Sequence, residues 1–272
     1  MPELPEVETV KNELAPHVVG HTITGVSLVW EGIVRSPSAP DFSSRLIGQE
    51  IIGVSRRGKY LILNLSGGEV LVIHLKMSGS LLIKPAPAEP DKYTRAVIYL
   101  DGKTALHFRD PRKFGVMWLV KDKEALVGKL GPEPLKASFT QQVLAKRLSK
   151  RKAPIKALLC DQNFIAGIGN MYADEALFAA GIHPLRLGGS LSREEIKRLY
   201  RAIREVLEAA ISSKGASIVN YYRPDGELGT AHFNFRVAHR RNETCPECHA
   251  PIERITVRNR GTYLCPKCQP RP

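Results

Sequence analysis

The sequence contains few cysteines, and most of them are grouped near one end. Only five occur among 272 residues, and four of these lie at or after position 245. A scaffold held by disulfides normally has cysteine pairs spread along a short secreted chain. The grouping therefore argues against a disulfide framework, and it leaves Cys160 as a single cysteine in the middle of the chain.

Long apolar runs are also missing. No segment approaches the roughly 20 apolar residues of a membrane-spanning helix, and no signal-peptide pattern opens the chain. No internal repeat is visible. We therefore expect a cytoplasmic protein without a membrane-spanning segment, and 272 residues are enough for two or three domains.

Acidic residues are scarce relative to basic ones. The chain has 27 Asp and Glu against 40 Lys and Arg, which gives a formal net charge of +13 at pH 7. Such an excess favours a polyanionic partner, either nucleic acid or an anionic membrane surface. Charge alone leaves a third possibility open, which is a solvated basic surface without a specific partner.

The grouped cysteines have the spacing of a metal site. Cys245 and Cys248 form one C-x2-C pair, and Cys265 and Cys268 form a second. Four convergent thiolates make a closed, tetrahedral, structural site, so the tail predicts one bound Zn²⁺. Two redox dithiols and an iron–sulfur site are the alternatives.

The segment between the two cysteine pairs predicts a hairpin. IERITVRN alternates as a strand does, and NRG is typical of a turn. The turn region carries Arg258 and Arg260, so the tip is basic. A basic tip on a basic protein favours contact with nucleic acid over redox chemistry.

The rest of the chain divides into a strand-rich part and a helical part. Strand-like segments separated by turn signals lie at 22–30, 51–56, 59–65, 70–76, 80–84, 95–100 and 116–121. Helical segments lie near 139–149, 154–160, 170–180 and 191–213, the last with Ser192 and Glu195 as a capping box. We expect an α+β multidomain protein: an N-terminal helix plus an antiparallel sandwich or barrel, a helical domain, and a zinc ribbon.

The first ten residues, MPELPEVETV, place Pro2, Glu3 and Glu6 close together. A helix start accounts for this pattern, because acidic residues are favoured in the first turn and proline suits an early helical position. The segment QNFIAGIGN in the helical part predicts tight turns before a helix at Asn170. Backbone amides at such a helix start can hold a phosphate, with Arg151 nearby in sequence.

Seven segments together resemble one family, the bacterial formamidopyrimidine-DNA glycosylases, also called 8-oxoguanine DNA glycosylases. The segments, in order, are MPELPEVETV, RRGKYL, HLKMSGSL, HFRDPRKFG, LGPEPL, QNFIAGIGNMYADEALF and the zinc ribbon with NRGTYLCPKCQ. The related endonuclease VIII branch has a similar layout, but the LPEVET run favours the formamidopyrimidine branch. The resemblance implies a catalytic β-sandwich domain at 1–131, a helix–two-turn–helix domain with a lesion loop at 136–235, and a zinc ribbon at 238–272.

The resemblance also implies chemistry for the opening segment. With Met1 removed, Pro2 would attack C1′ of a damaged nucleotide through its secondary amine, and Glu3 would act as general acid and base. Glu6 would position the N-terminus. Lys59 would contact a phosphate or the base near the nucleophile. Arg260 would bind a phosphate of the lesion and assist the later elimination, so it counts with Pro2, Glu3 and Lys59 among the implied catalytic residues.

DNA-contacting residues follow from the same resemblance. Met77, Arg112 and Phe114 would fill the space left by the extruded base. The alternatives are core packing for Met77 and Phe114 and a salt bridge for Arg112. Lys156 and Asn170 would bind backbone phosphates around the flipped nucleotide.

Two departures from the family pattern affect such contacts. Tyr93 and Arg95 stand where the family often has a phosphate-binding histidine pair, and His239 replaces a glycine before the zinc ribbon. Phosphate binding at Tyr93 is still expected, with different contact chemistry.

The implied function is DNA base-excision repair by a monomeric, bifunctional glycosylase and abasic-site lyase. It would remove oxidised purines from double-stranded DNA and cleave the strand by β,δ-elimination through a Schiff base at Pro2. One alternative is a glycosylase for oxidised pyrimidines. The other is a zinc-ribbon protein that binds damaged DNA without cutting it.

Overall fold

The computed structural model describes residues 1–218 and 221–271. The chain divides into two units. The first comprises Met1–Lys129 with Ser213–His232, and the second comprises Leu130–Ser212 with Phe233–Pro272. Within the described residues, no helix is both long and apolar enough to cross a membrane.

The first unit begins with helix α1 (Leu4–Val18). Val7, Val10, Leu14 and Val18 recur at helical spacing, and all four are buried in the main hydrophobic core. The opening segment is therefore a helix start, as its pattern predicts.

The described part of this unit contains nine strands: β1 (Ile23–Leu28), β2 (Val34–Ser36), β3 (Ile51–Arg57), β4 (Tyr60–Leu65), β5 (Val70–His74), β6 (Ser80–Pro85), β7 (Thr94–Leu100), β8 (Thr104–Arg109) and β9 (Val116–Val120). They form a four-stranded sheet of order β1-β7-β8-β6 and a five-stranded sheet of order β2-β9-β5-β4-β3. Neighbouring strands are antiparallel except for β2 with β9. Apolar residues of both sheets share one core with α1, which confirms the predicted sandwich.

Four elements of the first unit were not predicted from the sequence: β2, β8, helix α2 (Ala39–Leu46) and the short helix α3 (Glu124–Val127). α2 begins at Ser38, whose hydroxyl accepts the N–H of Asp41, and it contains a proline in its first turn. These are ordinary helix-start signals in a segment that resembles a Ser/Pro-rich loop. β8 was missed because His107, a polar residue, is fully buried at its centre.

The second unit contains helices α4 (Gln141–Leu148), α5 (Ile155–Leu159), α6 (Asn170–Ala180) and α7 (Arg193–Ser212). The predicted capping box of α7 is confirmed: the Ser192 N–H donates to Glu195 Oε2 (2.7 Å), and the Glu195 N–H donates to Ser192 Oγ (3.2 Å). The tail forms the predicted hairpin from β10 (Glu253–Val257) and β11 (Arg260–Leu264).

The segment Ser213–His232 belongs to the first unit, whereas the implied domain at 136–235 groups it with the helices. The three-domain division remains a prediction. The implied lesion loop, 214–232, includes residues 219–220, which lie outside the described residues.

Candidate active site and nucleic-acid interface

Two carboxylates are buried at the start of α1. Glu3 and Glu6 are each only 1% exposed, and Pro2 beside them is buried. Glu6 Oε2 accepts the N–H of Glu3 (2.7 Å), and Glu6 Oε1 accepts the N–H of Ala216 (2.8 Å). Glu6 therefore fixes the first turn of the helix and attaches the segment after α7 to it.

Gly215 allows this attachment. Its φ is +77°, and a Cβ at this position would lie 2.9 Å from Cγ of Glu6. A larger residue would therefore meet both backbone strain and a clash. The hydroxyl of Tyr221 also donates to the carbonyl of Glu6 (3.3 Å), so the segment is hydrogen-bonded to both the side chain and the backbone of Glu6.

Lys59 lies in the tight loop between β3 and β4 and is buried. The loop is attached to α1 through Arg56, whose Nε donates to Glu8 (2.7 Å) and whose Nη1 donates to the carbonyl of Gly58 (2.8 Å). Burial alone would raise the pKa of Glu8, but hydrogen bonds from Lys11 and Arg56 hold it below its ordinary value. An ionised Glu8 thus keeps the Lys59 loop against the helix that carries Glu3.

Met77 and Phe114 are surface residues, so the core-packing alternative is wrong for both. Their side chains are 48% and 46% exposed. The Arg112 guanidinium lies 4.7 Å from the centre of the Phe114 ring. Two apolar side chains and a guanidinium at the surface have the composition that a duplex-filling group requires.

Buried Asp110 organises these three residues, and sequence reasoning missed it. Its carboxylate accepts the backbone N–H groups of Arg112 (3.1 Å), Phe114 (2.7 Å) and Gly115 (2.7 Å) and the hydroxyl of Ser78, next to Met77. The turn residues in RDPRKFG were the available signal, because an aspartate before a turn commonly accepts the following N–H groups. Asp110 therefore joins the Met77 loop to the Arg112–Phe114 loop.

His74, also missed, supports the Met77 loop from the end of β5. Its Nδ1 accepts the N–H of Lys76 (2.9 Å), and its ring is perpendicular to that of Tyr60, with the two ring centres 4.7 Å apart. Burial, together with the charges of Lys76 and Lys59, lowers the pKa of His74 to about 3. The ring is therefore neutral at physiological pH, and its Nδ1 stays available as an acceptor.

Tyr93 and Arg95, which stand where the family often has a histidine pair, make different contacts. The Arg109 guanidinium lies 4.7 Å from the centre of the Tyr93 ring and donates to Asp91 (2.7 Å). Burial alone would raise the pKa of Asp91. The hydrogen bond from Arg109, together with those from the Tyr93 N–H and the Thr94 hydroxyl, instead lowers this pKa to about 2. Arg95 is buried and donates to the carbonyl of Asp110 (2.8 Å). Tyr93 thus stays partly exposed beside a cation, whereas Arg95 supports the Asp110 loop.

Lys156 does not have the position that the resemblance implies. Its side chain is 0% exposed, and its Nζ donates to the carbonyl of Asn170 (2.7 Å) and to Asp174 Oδ1 (2.5 Å). Burial raises the pKa of Asp174 to about 7, although the Lys156 ammonium lowers it. A buried ammonium with two internal acceptors cannot reach a phosphate, so the expected contact is corrected to a structural ion pair at the start of α6.

Asn170 connects the helical part to the hairpin. Its Nδ2 donates to the carbonyl of Gly261 (2.8 Å), directly after Arg260. Arg260 and Arg151 are both exposed. Asn170 therefore positions the strand that presents the Arg260 guanidinium, and this cross-connection could not be predicted from sequence spacing.

The four tail cysteines converge as predicted. The Sγ atoms of Cys245, Cys248, Cys265 and Cys268 all lie within 4.8 Å of one another. Four thiolates with no open position are the donor set of a structural zinc site, and when bound the metal would supply folding energy rather than catalysis. Gln269 attaches this site to the helical part: its Oε1 accepts the N–H of Cys265 (3.0 Å), and its Nε2 donates to the carbonyl of Ile182 (2.9 Å).

The backbone at His239, where the chain enters the ribbon, has a conformation that favours the glycine of the family pattern. His239 has a φ of +64°, in the left-handed region that favours glycine. Its ring lies 5.5 Å from that of Tyr263. The preceding backbone is held by Glu175, which accepts the N–H groups of Arg236, Val237 and Ala238. The linker thus keeps a left-handed turn despite the substitution.

Comparisons with known proteins agree with this architecture. Residues 1–117 match the formamidopyrimidine-DNA glycosylase N-terminal domain, residues 130–221 match its H2TH domain, and residues 242–271 match the zinc finger found in FPG and IleRS. A relative in Chloroflexus aurantiacus named formamidopyrimidine-DNA glycosylase is 48% identical, covering 99% of this chain and 98% of its own. One in Pelotomaculum thermopropionicum with the same name is 43% identical over 99% of each chain.

Solved structures are similarly close. The FPG protein of Thermus thermophilus is 42% identical with a TM-score of 0.88, covering 98% of each chain. The Lactococcus lactis FPG mutant G226P, in complex with a DNA containing Fapy-dG, is 34% identical with a TM-score of 0.93, covering 99% of this chain and 100% of its own. The chain, matched from end to end in sequence and in fold, belongs to the formamidopyrimidine-DNA glycosylase family.

Proposed function

We propose that this protein is a DNA base-excision repair enzyme, a bifunctional glycosylase and abasic-site lyase that removes oxidised purines from double-stranded DNA. The observation that carries the proposal is the buried start of α1, where Pro2 lies beside the carboxylates of Glu3 and Glu6. The family membership supports it, as do the Lactococcus lactis neighbours, which are complexes with DNA containing Fapy-dG or an abasic site.

The chemistry starts from the secondary amine that Pro2 gains when Met1 is removed. An α-amino group has a pKa of about 8, so a useful neutral fraction exists at physiological pH. The nitrogen lone pair forms a bond to C1′, and the glycosidic bond breaks with its electrons leaving on the base. Glu3 supplies the proton that opens the sugar ring and moves protons in later steps. The resulting iminium acidifies C2′, so loss of a C2′ proton expels the 3′ phosphate and leaves a double bond between C2′ and C3′ that is conjugated with the iminium. This conjugation acidifies C4′, loss of its proton expels the 5′ phosphate, and water then releases Pro2.

DNA binding is assigned to the surface residues described above. Met77, Arg112 and Phe114 would fill the space of the extruded base, while Arg260 binds a phosphate beside the lesion and Arg151 adds charge. Lys59 completes the catalytic group, and Asn170 and Tyr93 support the phosphate contacts. The proposal includes a catalytic domain at 1–131, a helix–two-turn–helix domain at 136–235 and a zinc ribbon at 238–272, in a monomer located in the cytoplasm with the nucleoid.

Borohydride trapping tests the proposal directly. Purified protein incubated with an 8-oxoguanine duplex and borohydride is expected to form a covalent adduct at Pro2, because reduction converts the iminium to a stable amine. The intact mass of active protein is expected to lack Met1, since a retained methionine holds the Pro2 nitrogen in a peptide bond.

Assays run side by side on duplexes with different lesions separate the alternatives. Faster cutting of a duplex with an oxidised pyrimidine would favour the pyrimidine glycosylase, and tight binding without cutting would favour the non-catalytic protein. An enzyme that keeps Met1 and still cleaves at full rate would contradict the Pro2 mechanism.

Met77→Ala is expected to weaken lesion processing more than binding to undamaged DNA. Inserting the half-exposed side chain into the duplex would bury apolar surface. Truncation therefore removes about 1–2 kcal/mol of stabilisation from the complex with the extruded base, which corresponds to a roughly 5- to 30-fold lower excision rate. Phosphate contacts remain, so affinity for an undamaged duplex changes little. The measurements are single-turnover excision and, at the same salt concentration, binding to an undamaged duplex.

Ile52→Ala is the matched control for Met77→Ala. Ile52 is an apolar side chain of the same unit with 55% exposure, and it lies on β3 away from the Asp110-linked loops. Its truncation is expected to leave excision unchanged. Wild-type excision by Met77→Ala would remove Met77 from the duplex-filling group.

A further inference from the structure

The tip of the zinc ribbon holds an arginine in an unfavourable backbone conformation. Val257 pairs with Arg260, so Arg258 and Asn259 alone form the loop between β10 and β11. Both have positive φ, +48° for Arg258 and +62° for Asn259. Two-residue loops of this type strongly prefer Asn-Gly, and asparagine tolerates the left-handed region whereas arginine rarely occupies it. A strained residue at an exposed tip indicates a side chain retained for function rather than for the turn.

Arg258 and Arg260 face the same space. Both line a cavity of about 480 Å³, whose other wall is formed by the end of α5 and the residues that follow it, Asp161 and Gln162 among them. The polar groups of that wall are engaged internally. Asp161 accepts the N–H of Asn163 (2.9 Å), and Gln162 accepts the N–H of Gly167 (2.9 Å) and donates to the carbonyl of Ile168 (2.7 Å).

The two guanidinium groups are the charged donors available to a ligand in this space. Both residues are exposed, and within residues 1–218 and 221–271 neither takes part in an ion pair. The third arginine of the hairpin differs, because Arg254 packs along the strand: a Cβ at Gly261 would lie 2.6 Å from its Nη2. The net charge of the cavity is therefore positive even with the Asp161 carboxylate at its edge.

We infer that Arg258 binds a DNA backbone phosphate next to the one proposed for Arg260, so that the ribbon tip is a two-arginine phosphate clamp. The inference rests on the proposed function, because it extends the DNA contact of the same hairpin. Successive phosphates along a strand present anions at regular intervals, and arginine forks match their geometry. Such a contact adds affinity and fixes register without reading sequence.

Substitution with glycine separates this role from a structural one, because the two predict opposite signs. Arg258→Gly removes the guanidinium and relieves the positive φ. The full-length, zinc-loaded variant is expected to melt at or above the wild-type temperature while its affinity for a duplex with a tetrahydrofuran abasic analogue falls about tenfold. The slope of log K against log salt concentration is expected to become shallower by about 0.9, the value for one lost phosphate contact.

Two variants complete the test. Asn259→Gly relieves the neighbouring positive φ without removing a charge, so its salt slope should equal that of the wild type. Arg258→Lys keeps the charge and should restore most of the slope. A wild-type salt slope for Arg258→Gly would overturn the inference, whatever its melting temperature. Failure of the wild-type protein itself to cut lesion duplexes would instead contradict the proposed function, so the two failures are distinguishable.

Discussion

Glu3→Gln is expected to lower base excision by roughly 10²–10⁴-fold, the usual loss when a general acid and base is removed. Glutamine has nearly the same shape as glutamate but cannot deliver or accept the proton that the proposed ring opening requires. The Glu3 side chain is buried at the start of α1, so we expect that bulk water does not replace it in proton transfer. Single-turnover excision from an 8-oxoguanine duplex measures the loss.

Melting temperature and DNA affinity serve as internal checks on this variant, and both should stay near wild type. Glu50→Gln is the matched control, because Glu50 is an exposed carboxylate of the same unit and its loss also changes the net charge by one. Excision by Glu3→Gln at the wild-type rate would show that the carboxylate serves only the helix start.

Cys248→Ser is expected to abolish zinc binding and unfold the ribbon. The hairpin is too small to be held by its own core, and metal ligation contributes most of the folding energy of such modules. Losing the ordered tip removes the phosphate contacts proposed for Arg258 and Arg260. Two charged hydrogen bonds of about 1.5 kcal/mol each correspond to roughly a 10²-fold loss of affinity. Zinc content by elemental analysis and duplex binding are the measurements.

The two tryptophans offer a folding control for the first unit. Trp30 and Trp118 both lie in the first unit, so their fluorescence reports on that unit and should be unchanged in Cys248→Ser. Cys160→Ser removes the cysteine outside the cluster and should keep full zinc content. Full DNA affinity in a metal-free protein would contradict the role assigned to the ribbon.

Local patterns in the sequence were sufficient to predict α1, most sandwich strands, the α7 capping box and the four-cysteine cluster. Each of these features depends on residues that are close together in the chain. Contacts over long sequence separations were not predictable. Ala216 completes the Glu6 site from 210 positions away, and Asn170 reaches the hairpin at Gly261.

Lys156 shows the limit of assigning a role by position alone. A lysine near a turn that is expected to bind phosphate suggests a phosphate contact, but the side chain faces inward to Asp174. Only burial distinguishes the two roles. Met77 shows the reverse case, because an isolated methionine suggests a core residue and the structure places it at the surface.

The bond between Glu6 and Ala216 also bears on how the protein is made. Ribosomes add about 5–20 residues per second, so a separation of 210 positions means that the two partners emerge roughly 10–40 s apart. During that interval the Glu6 carboxylate lacks the Ala216 N–H as a donor. The start of α1 therefore reaches its final setting only after helices α4 to α7 have been synthesised, and a chain terminated early carries Pro2, the proposed nucleophile, without the finished site around it.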